Sequence, residues 1–450
     1  GGDYNKTDAS DNNFNCNGII GPDRQLNPHA KELAYQYQSI WVKPVDLAKG
    51  TIAVHNENFF RDLSNYRMEW SLLKDGKSVQ SGSVDKLNVA PQQTANVALP
   101  LNIPSDGEVM LNIDFKTKTA EPLIAEGQTV AYEQIALNEA TPVTYVENFS
   151  TEKVKIQNKK NDPTIVIASA KATMAFDKAT GLLCQYAVDG KSMLGEGGTL
   201  KPNFWRAVTD NDMGAGLQNR LKAWHNPKMT LTAIAVEKIK ESKGTAATVT
   251  ARYDMPDVKA KLTLTYKVYG DGTIDVEQAM TKATPDAKAP NLLRFGMVMD
   301  LPYNMDKSQW YGRGPIENYS DRKLSERIGL YSLTADQQYF PYIRPQECGT
   351  KSDIRWWKQA NAEGLGNNIQ PVSSWMYAGA LHYDIADLDE GMEKAQRHSP
   401  EVPKSKFTEL TIDLAQQGLG GTNSWGDLPL EKYRVPFGDM TFRFVITPMK

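Results

Sequence analysis

The sequence predicts an all-β protein built in two unequal parts, and three observations carry that prediction. Hydrophobic side chains recur with a period of two along most of the chain, turn residues interrupt these runs at short intervals, and helical periodicity is confined to two brief stretches. A length of 450 residues exceeds one ordinary core, so two or three domains are expected. Each element can be justified in chain order. The first is a short helix in NPHAKELAYQYQ (27 to 38), where Asn27 stands as the cap before Pro28. In NYRMEWSLLKDGKSV, Tyr66, Met68, Trp70 and Leu72 alternate with Arg67, Glu69 and Ser71 ahead of the Asp75-Gly76 turn, which is the pattern of a half-buried strand entering a hairpin. VMLNIDF repeats it with Leu111, Ile113 and Phe115. Several such strands between about residues 38 and 138 suggest a small sandwich of immunoglobulin or fibronectin type.

A polar, charge-rich stretch, ENFSTEKVKIQNKKNDP (147 to 163), then reads as a linker. From about residue 164 the alternation resumes. KLTLTYKVYGDGTIDVEQ sets Leu262, Leu264, Tyr266 and Val268 on one face, turns at Gly270-Asp271-Gly272, and continues with Ile274 and Val276. The persistence of this pattern to the C-terminus favours one large antiparallel β domain over several small ones. The second helix candidate is GAGLQNRLKAW (214 to 224).

Composition excludes several classes of function. The 51 basic and 54 acidic side chains nearly cancel, and no Lys/Arg stripe follows a phosphate backbone, so nucleic acid is not an expected partner. No apolar window is long enough for a membrane helix, and no membrane partner is expected. Cys16, Cys184 and Cys348 are odd in number, widely spaced and without a CxxC pair, which speaks against a disulfide framework or a zinc site. The opening, GGDYNKTDASDNNF, has neither the basic nor the apolar region of a signal peptide, and it suits a cut inside a longer protein equally well. No GxSxG, HExxH, P-loop or Rossmann glycine pattern occurs, and His29, His55, His225, His382 and His398 lack metal-ligand spacing.

What remains is a set of polar-aromatic loops. RAVTDNDMGAG gathers Asp210, Asn211 and Asp212, which is compatible with a Ca²⁺ site or, more simply, with an Asx-rich turn capping the following helix. WYGRGPIENYSDRK (310 to 323) combines Trp310, Tyr311 and Tyr319 with Arg313, Glu317, Asp321 and Arg322. YIRPQECGTKSDIRWW (342 to 357) sets Arg344, Glu347, Asp353 and Arg355 beside Trp356 and Trp357. Sugar sites use such mixtures, because aromatic faces stack on pyranose C–H groups while charged forks bind hydroxyls. Buried ion-pair networks that brace loops use them too, and that structural reading is the simpler one. Finally, GGTNSWGDLP (420 to 429) places Trp425 among turn-forming residues, where an indole would otherwise need a strand end to bury it.

Taken together, FWRAVTDNDMG, YGRGPIENYSDRK, PYIRPQECGTKSDIRWW and GLGGTNSWGDLP closely resemble the C-terminal β-sandwich of the large bacterial β-galactosidases of glycoside hydrolase family two. The segment with VAPQQTANVALPL is similar to that family's fibronectin-like domain, and residues 1 to 38 look like the last stretch of its (β/α)₈ barrel and exit helix. The resemblance covers essentially the whole chain in the family's order. It implies a barrel remnant at 1–38, a fibronectin/immunoglobulin-like sandwich at 39–146, a linker at 147–163, and at 164–450 a large galactose-mutarotase-like antiparallel β-supersandwich.

It also implies a part of an enzyme that hydrolyses terminal β-galactosides. The family's two catalytic glutamates lie on the barrel upstream, so no catalytic residue is expected in this chain. The tryptophan matching Trp425 forms a platform for the leaving sugar, and Phe14 and Asn17 match a main-chain and a side-chain ligand of a sodium ion whose aspartate ligand lies upstream. Gly214 matches the glycine of a mobile loop near the active site. Magnesium would serve the parent enzyme without binding here. The implied partners are the β-galactoside substrate, the missing N-terminal barrel region and further subunits of an oligomer, in a soluble protein of the bacterial cytoplasm or periplasm. Two alternatives remain: a stand-alone carbohydrate-binding or mutarotase-like module, which would need a histidine facing a carboxylate in a cleft, and a purely structural assembly domain.

Overall fold

The computed structural model describes residues 7, 16, 18–148, 150–241, 243–389, 391–392, 397–423 and 426–449. It is an all-β architecture in two compact units. The smaller comprises Ile19–Thr141 with Leu324–Leu330, and the larger holds Pro142–Lys323 and Tyr331–Lys450. Among the described residues no helix is long and apolar enough to cross a membrane.

The small unit has a three-stranded sheet (Ile40–Asp46, Thr51–Asn56, Thr94–Ala98) and a four-stranded sheet ordered Lys77–Val84, Tyr66–Lys74, Val109–Thr117, Thr129–Asn138. Their inner faces share one core that includes Ile52, Val54, Met68, Trp70, Leu111, Ile113 and Phe115. Alternation holds as expected in Tyr66–Lys74, except that Leu72 and Leu73 are both buried, because the pairing register shifts between them. The hairpin turn has positive φ at both Asp75 (48°) and Gly76 (77°), the handedness that matches strand twist. The helix is His29–Gln36, one turn shorter than expected. Its cap position falls on Pro28, already in helical conformation and without a capping hydrogen bond, so Asn27 is not the cap.

Leu324–Leu330 was expected to belong to the large domain, and side-chain pairing explains why it belongs to the small unit. Arg327 grips Asp114 through both terminal nitrogens (3.0 and 3.1 Å), and Gln134 mimics a strand partner for Ile328, accepting its N–H (2.8 Å) and donating to its carbonyl (2.9 Å).

The large unit is a sandwich of two antiparallel sheets, of ten and nine strands among the described residues. The nine-stranded sheet starts as a meander, Thr230–Lys240, Thr245–Met255, Ala260–Tyr269 and Ile274–Lys282, and continues through the C-terminal strand Met440–Met449. Leu262, Leu264, Tyr266 and Val268 are all fully buried, as their spacing requires. They face Met174, Phe176 and Tyr186 of the other sheet in a single core, with the Phe176 and Tyr266 rings 5.0 Å apart. Part of the stretch read as a linker belongs to this unit: Lys155–Gln157 is an edge strand on Thr164–Ala168, and Val154 is buried. Towards the middle of the ten-stranded sheet, Arg294–Pro302 pairs with Phe407–Gln416. The second of these strands leads into the segment that follows Gln416.

Candidate functional site

Trp425, Phe14 and Asn17 lie outside the described residues; Gly214 lies within them. The site is therefore built from the mounting of the loop that follows Gln416. Its first foot is held by opposite charges on opposite sides of the backbone. Arg206, fully buried, donates to the carbonyls of Gln417 (2.5 Å) and Gly418 (3.0 Å). Asp321 accepts the amides of Leu419 (2.9 Å) and Gly420 (2.8 Å). Hydrogen bonds that involve an ionised partner are the stronger class, so four consecutive residues are fixed by two side chains. The approach is close enough that a Cβ on Gly418 would sit 2.5 Å from an Asp321 oxygen.

Farther along, Asn423 Nδ2 donates to the Asp427 carboxylate (2.5 Å), tying the two limbs of the loop together. The second foot is backbone against backbone. Gly426 has φ +106°, and a Cβ there would meet the carbonyl oxygen of Gly214 at 2.6 Å, so both the conformation and the clearance demand glycine.

Both feet trace back to one short helix, Asp210–Gly214. Thr209 caps it, accepting the Asp212 amide while Asp212 accepts the Thr209 amide (3.0 Å). The same Asp212 carboxylate receives Arg206 Nε (3.0 Å) and Nη2 (2.9 Å), so the cap also orients the guanidinium that grips the loop. Asn211 donates to the Leu419 carbonyl (3.2 Å), and Asp210 turns the other way, to Arg344 (2.8 Å) and Gln346 (3.2 Å). Asp210, Asn211 and Asp212 thus diverge onto three protein partners. This corrects the Ca²⁺ reading and shifts the cap from the Asx residues to Thr209. Among the described residues no cluster of His, Cys, Asp and Glu is arranged to hold a metal.

Gly214 ends this helix rather than starting one. The stretch 214 to 224 is not one helix but Leu217–Arg220 followed by a 3₁₀ turn at Lys222–Trp224, because Gly216 adopts a left-handed conformation that interrupts it (φ +68°).

The two Arg/Glu-rich loops form a network of buried and half-buried charges. Glu317 accepts Arg322 (2.6 Å), the Tyr342 hydroxyl (2.5 Å) and the Gly349 amide (2.9 Å). Glu347 accepts Arg294 (3.2 Å) and Thr350 (2.6 Å). Asp353 takes Arg313 (2.5 Å) and Lys323 (2.9 Å), and Trp310 and Trp357 stack on each other in the core. In the ten-stranded sheet Asp413 is fully buried 3.2 Å from Arg294, and burial pushes its carboxyl up to about 7, with Arg294 opposing and Glu347 reinforcing the shift.

His382 does face a carboxylate, Asp336, at 3.1 Å, but its ring stacks on Tyr303 and its other nitrogen lies 3.1 Å from both the Tyr303 carbonyl and the Thr408 hydroxyl. With both nitrogens engaged by protein, this is a core histidine.

Sequence reasoning missed Arg206 and the clamping role of Asp321. The T-x-x-D spacing of Thr209 and Asp212 was the available signal for the cap; nothing local pointed from Asp321 to a loop about a hundred residues away.

The family models agree with this architecture. "Beta galactosidase small chain" matches residues 168–446, more than half of the chain, and "Beta-galactosidase, domain 4" matches 52–138. Among curated relatives, a beta-galactosidase of Priestia megaterium is 31% identical over 438 residues, covering 94% of this chain and 40% of its own length. Those of Photobacterium profundum (28% identical) and Halalkalibacterium halodurans (26%) each align with 99% of this chain, over 43% and 42% of their own lengths. The chain thus spans about two fifths of the relatives it matches. A galactose 1-epimerase from Lactobacillus acidophilus NCFM aligns over 66% of this chain and 98% of its own at 8% identity, with a TM-score of 0.34, too distant to argue from. With the small-chain model spanning nearly all of the larger sandwich, the chain belongs to the beta-galactosidase small-chain family.

Proposed function

We propose that this chain is the C-terminal part of a β-galactosidase of glycoside hydrolase family two, and that within the whole enzyme it presents Trp425 to the sugar that leaves galactose. Retaining hydrolysis needs two carboxylates about 5 Å apart across the glycosidic bond. In this reading both come from the barrel region, and this chain contributes shape and positioning. Support comes from relatives that align with nearly all of this chain over only two fifths of their own length.

The observation that carries the reading is the mounting of the Trp425 loop. A segment whose described residues make no strand pairing is gripped by a buried arginine and by an aspartate at one foot, and closes on glycine at the other. Such fixing suits an aromatic held out for a ligand, since a platform loses less entropy on binding when its base is already rigid. An indole face covered by a sugar contributes on the order of 1.5–3 kcal/mol, enough to set affinity for the leaving sugar without touching bond cleavage. Phe14 and Asn17 enter as sodium ligands only through the family resemblance, with which neutral oxygen donors for a hard monovalent ion are consistent. Gly214 enters as the hinge of a neighbouring loop.

The test is complementation. The purified chain alone should not hydrolyse nitrophenyl β-galactoside, and mixing it with the N-terminal region of a full-length relative should restore turnover. Hydrolysis by the chain alone would refute the assignment of the catalytic carboxylates to the other region. An epimerase role is not proposed, because Asp336 is held by His382 and Lys404, and Asp389, 3.9 Å from His225, is held by the Trp205 indole and the Gly391 amide.

A further inference from the structure

We propose that Asp321 is a positioning residue for recognition of the leaving sugar: by holding the amides of Leu419 and Gly420 it fixes the direction in which the Trp425 loop departs. The inference rests on the platform reading above and extends it to Asp321 of the motif ENYSDRK.

Asp321 is itself held at the tip of a tight turn. Tyr319 and Arg322 exchange backbone hydrogen bonds (2.9 and 3.0 Å), leaving Ser320 and Asp321 at the apex. Both flanking residues are anchored. Tyr319 is fully buried with the Arg322 guanidinium over its ring at 5.2 Å, and Arg322 is bound to Glu317, which also holds the Gly349 amide. The Arg/Glu network therefore presents one carboxylate in a fixed place.

That carboxylate meets the loop where its direction is decided. Gly420 (φ +73°) and Gly421 (φ +105°) follow directly, and both are in conformations open mainly to glycine. Without a fixed amide before them, these two glycines have many other states to visit, and the exit angle of the loop is lost. Arg206 acts on the carbonyls of the preceding residues, so it fixes where the loop starts, whereas Asp321 fixes where it goes.

Two measurements test this. Hydrogen exchange on this chain should show the Leu419 and Gly420 amides exchanging about tenfold faster in Asp321→Ala, with the amides of Phe407–Gln416 unchanged, as expected for loss of a charge-assisted hydrogen bond. Asp321→Asn, which retains one acceptor oxygen, should fall between. In the complemented enzyme, Asp321→Ala should raise KM for lactose about five- to tenfold while kcat/KM for nitrophenyl β-galactoside stays within about twofold, and in a Trp425→Ala background it should add almost nothing.

Unchanged exchange, equal losses on both substrates, or an effect that adds in full to Trp425→Ala would overturn the proposal. If Trp425→Ala itself leaves the lactose KM unchanged, the platform reading has failed. If Trp425→Ala acts and Asp321→Ala does not, the platform stands and this inference alone has failed.

Discussion

Two charged clusters lie next to each other in the large unit, at the end of the strand Phe407–Gln416, and they use the same residue types to opposite effect. In the loop clamp each charge is matched: Arg206 is paired with Asp212 and donates to two carbonyls, and Asp321 takes two amides. In the sheet cluster one arginine, Arg294, lies between two carboxylates, Glu347 and Asp413, and neither Asp413 oxygen has an aligned hydrogen-bond donor. Matched charge on backbone produces fixed geometry. Burial of a carboxylate whose oxygens are left without hydrogen-bond donors produces a group that holds a proton near neutral pH, even with Arg294 opposing the shift. The comparison teaches that a buried Arg/Asp/Glu motif has no single meaning; what decides its role is whether backbone groups complete its hydrogen bonds.

The largest effect should come from breaking the matched pair. Arg206→Ala leaves the buried Asp212 carboxylate uncompensated and releases the loop, which should cost about 3–5 kcal/mol of stability in denaturant unfolding. A loss below about 1 kcal/mol would mean that the clamp is ornamental.

The unmatched cluster should show itself in pH dependence. The folded carboxyl of Asp413 titrates at about 7 against an ordinary 3.8, so the folded state binds this proton more tightly than the unfolded one. The resulting stability is fully present below about pH 4, declines as pH rises towards 7, and is constant above. Glu409, pushed up to about 8 by burial and by Asp384, acts in the same direction and extends the window. From pH 5 to 7 the Asp413 contribution should fall on the order of 2 kcal/mol. Asp413→Asn, a mimic of the neutral acid, should remove that part of the slope; an unaltered slope would remove Asp413 from the account.

A smaller effect is expected at the second foot of the loop. Gly426→Ala, forced into a positive φ against the Gly214 carbonyl, should cost about 1–2 kcal/mol. Smallest is Asp210→Asn. Its side chain is 44% exposed beside Arg344, and such partly solvated pairs contribute about 0.5–1 kcal/mol or less.

The fold was legible where one face of a strand meets water or polar neighbours. Tyr66–Lys74 and Ala260–Tyr269 alternate in burial because every second residue turns into a core. It was less legible where backbone conformation or side-chain pairing takes over. Gly216 breaks what reads as one helix, Val154 is buried within a polar stretch, and the affiliation of Leu324–Leu330 depends on Gln134 standing in for a strand. At the candidate site, the loop character of the described residues of 417–429 could be read from its glycines, whereas its clamp could not. Arg206 and Asp321 are far from it in sequence, and no periodicity or spacing links a side chain to a backbone amide about a hundred residues away.

The central claim is that Trp425 serves the leaving sugar. Its most direct test is the ratio of KM for lactose to KM for nitrophenyl β-galactoside in complemented enzyme carrying Trp425→Ala. The account predicts that this ratio rises about tenfold or more with kcat for the nitrophenyl substrate little changed, the loss expected when an aromatic face worth about 1.5–3 kcal/mol is removed from one substrate only. A ratio that stays at its wild-type value would contradict it.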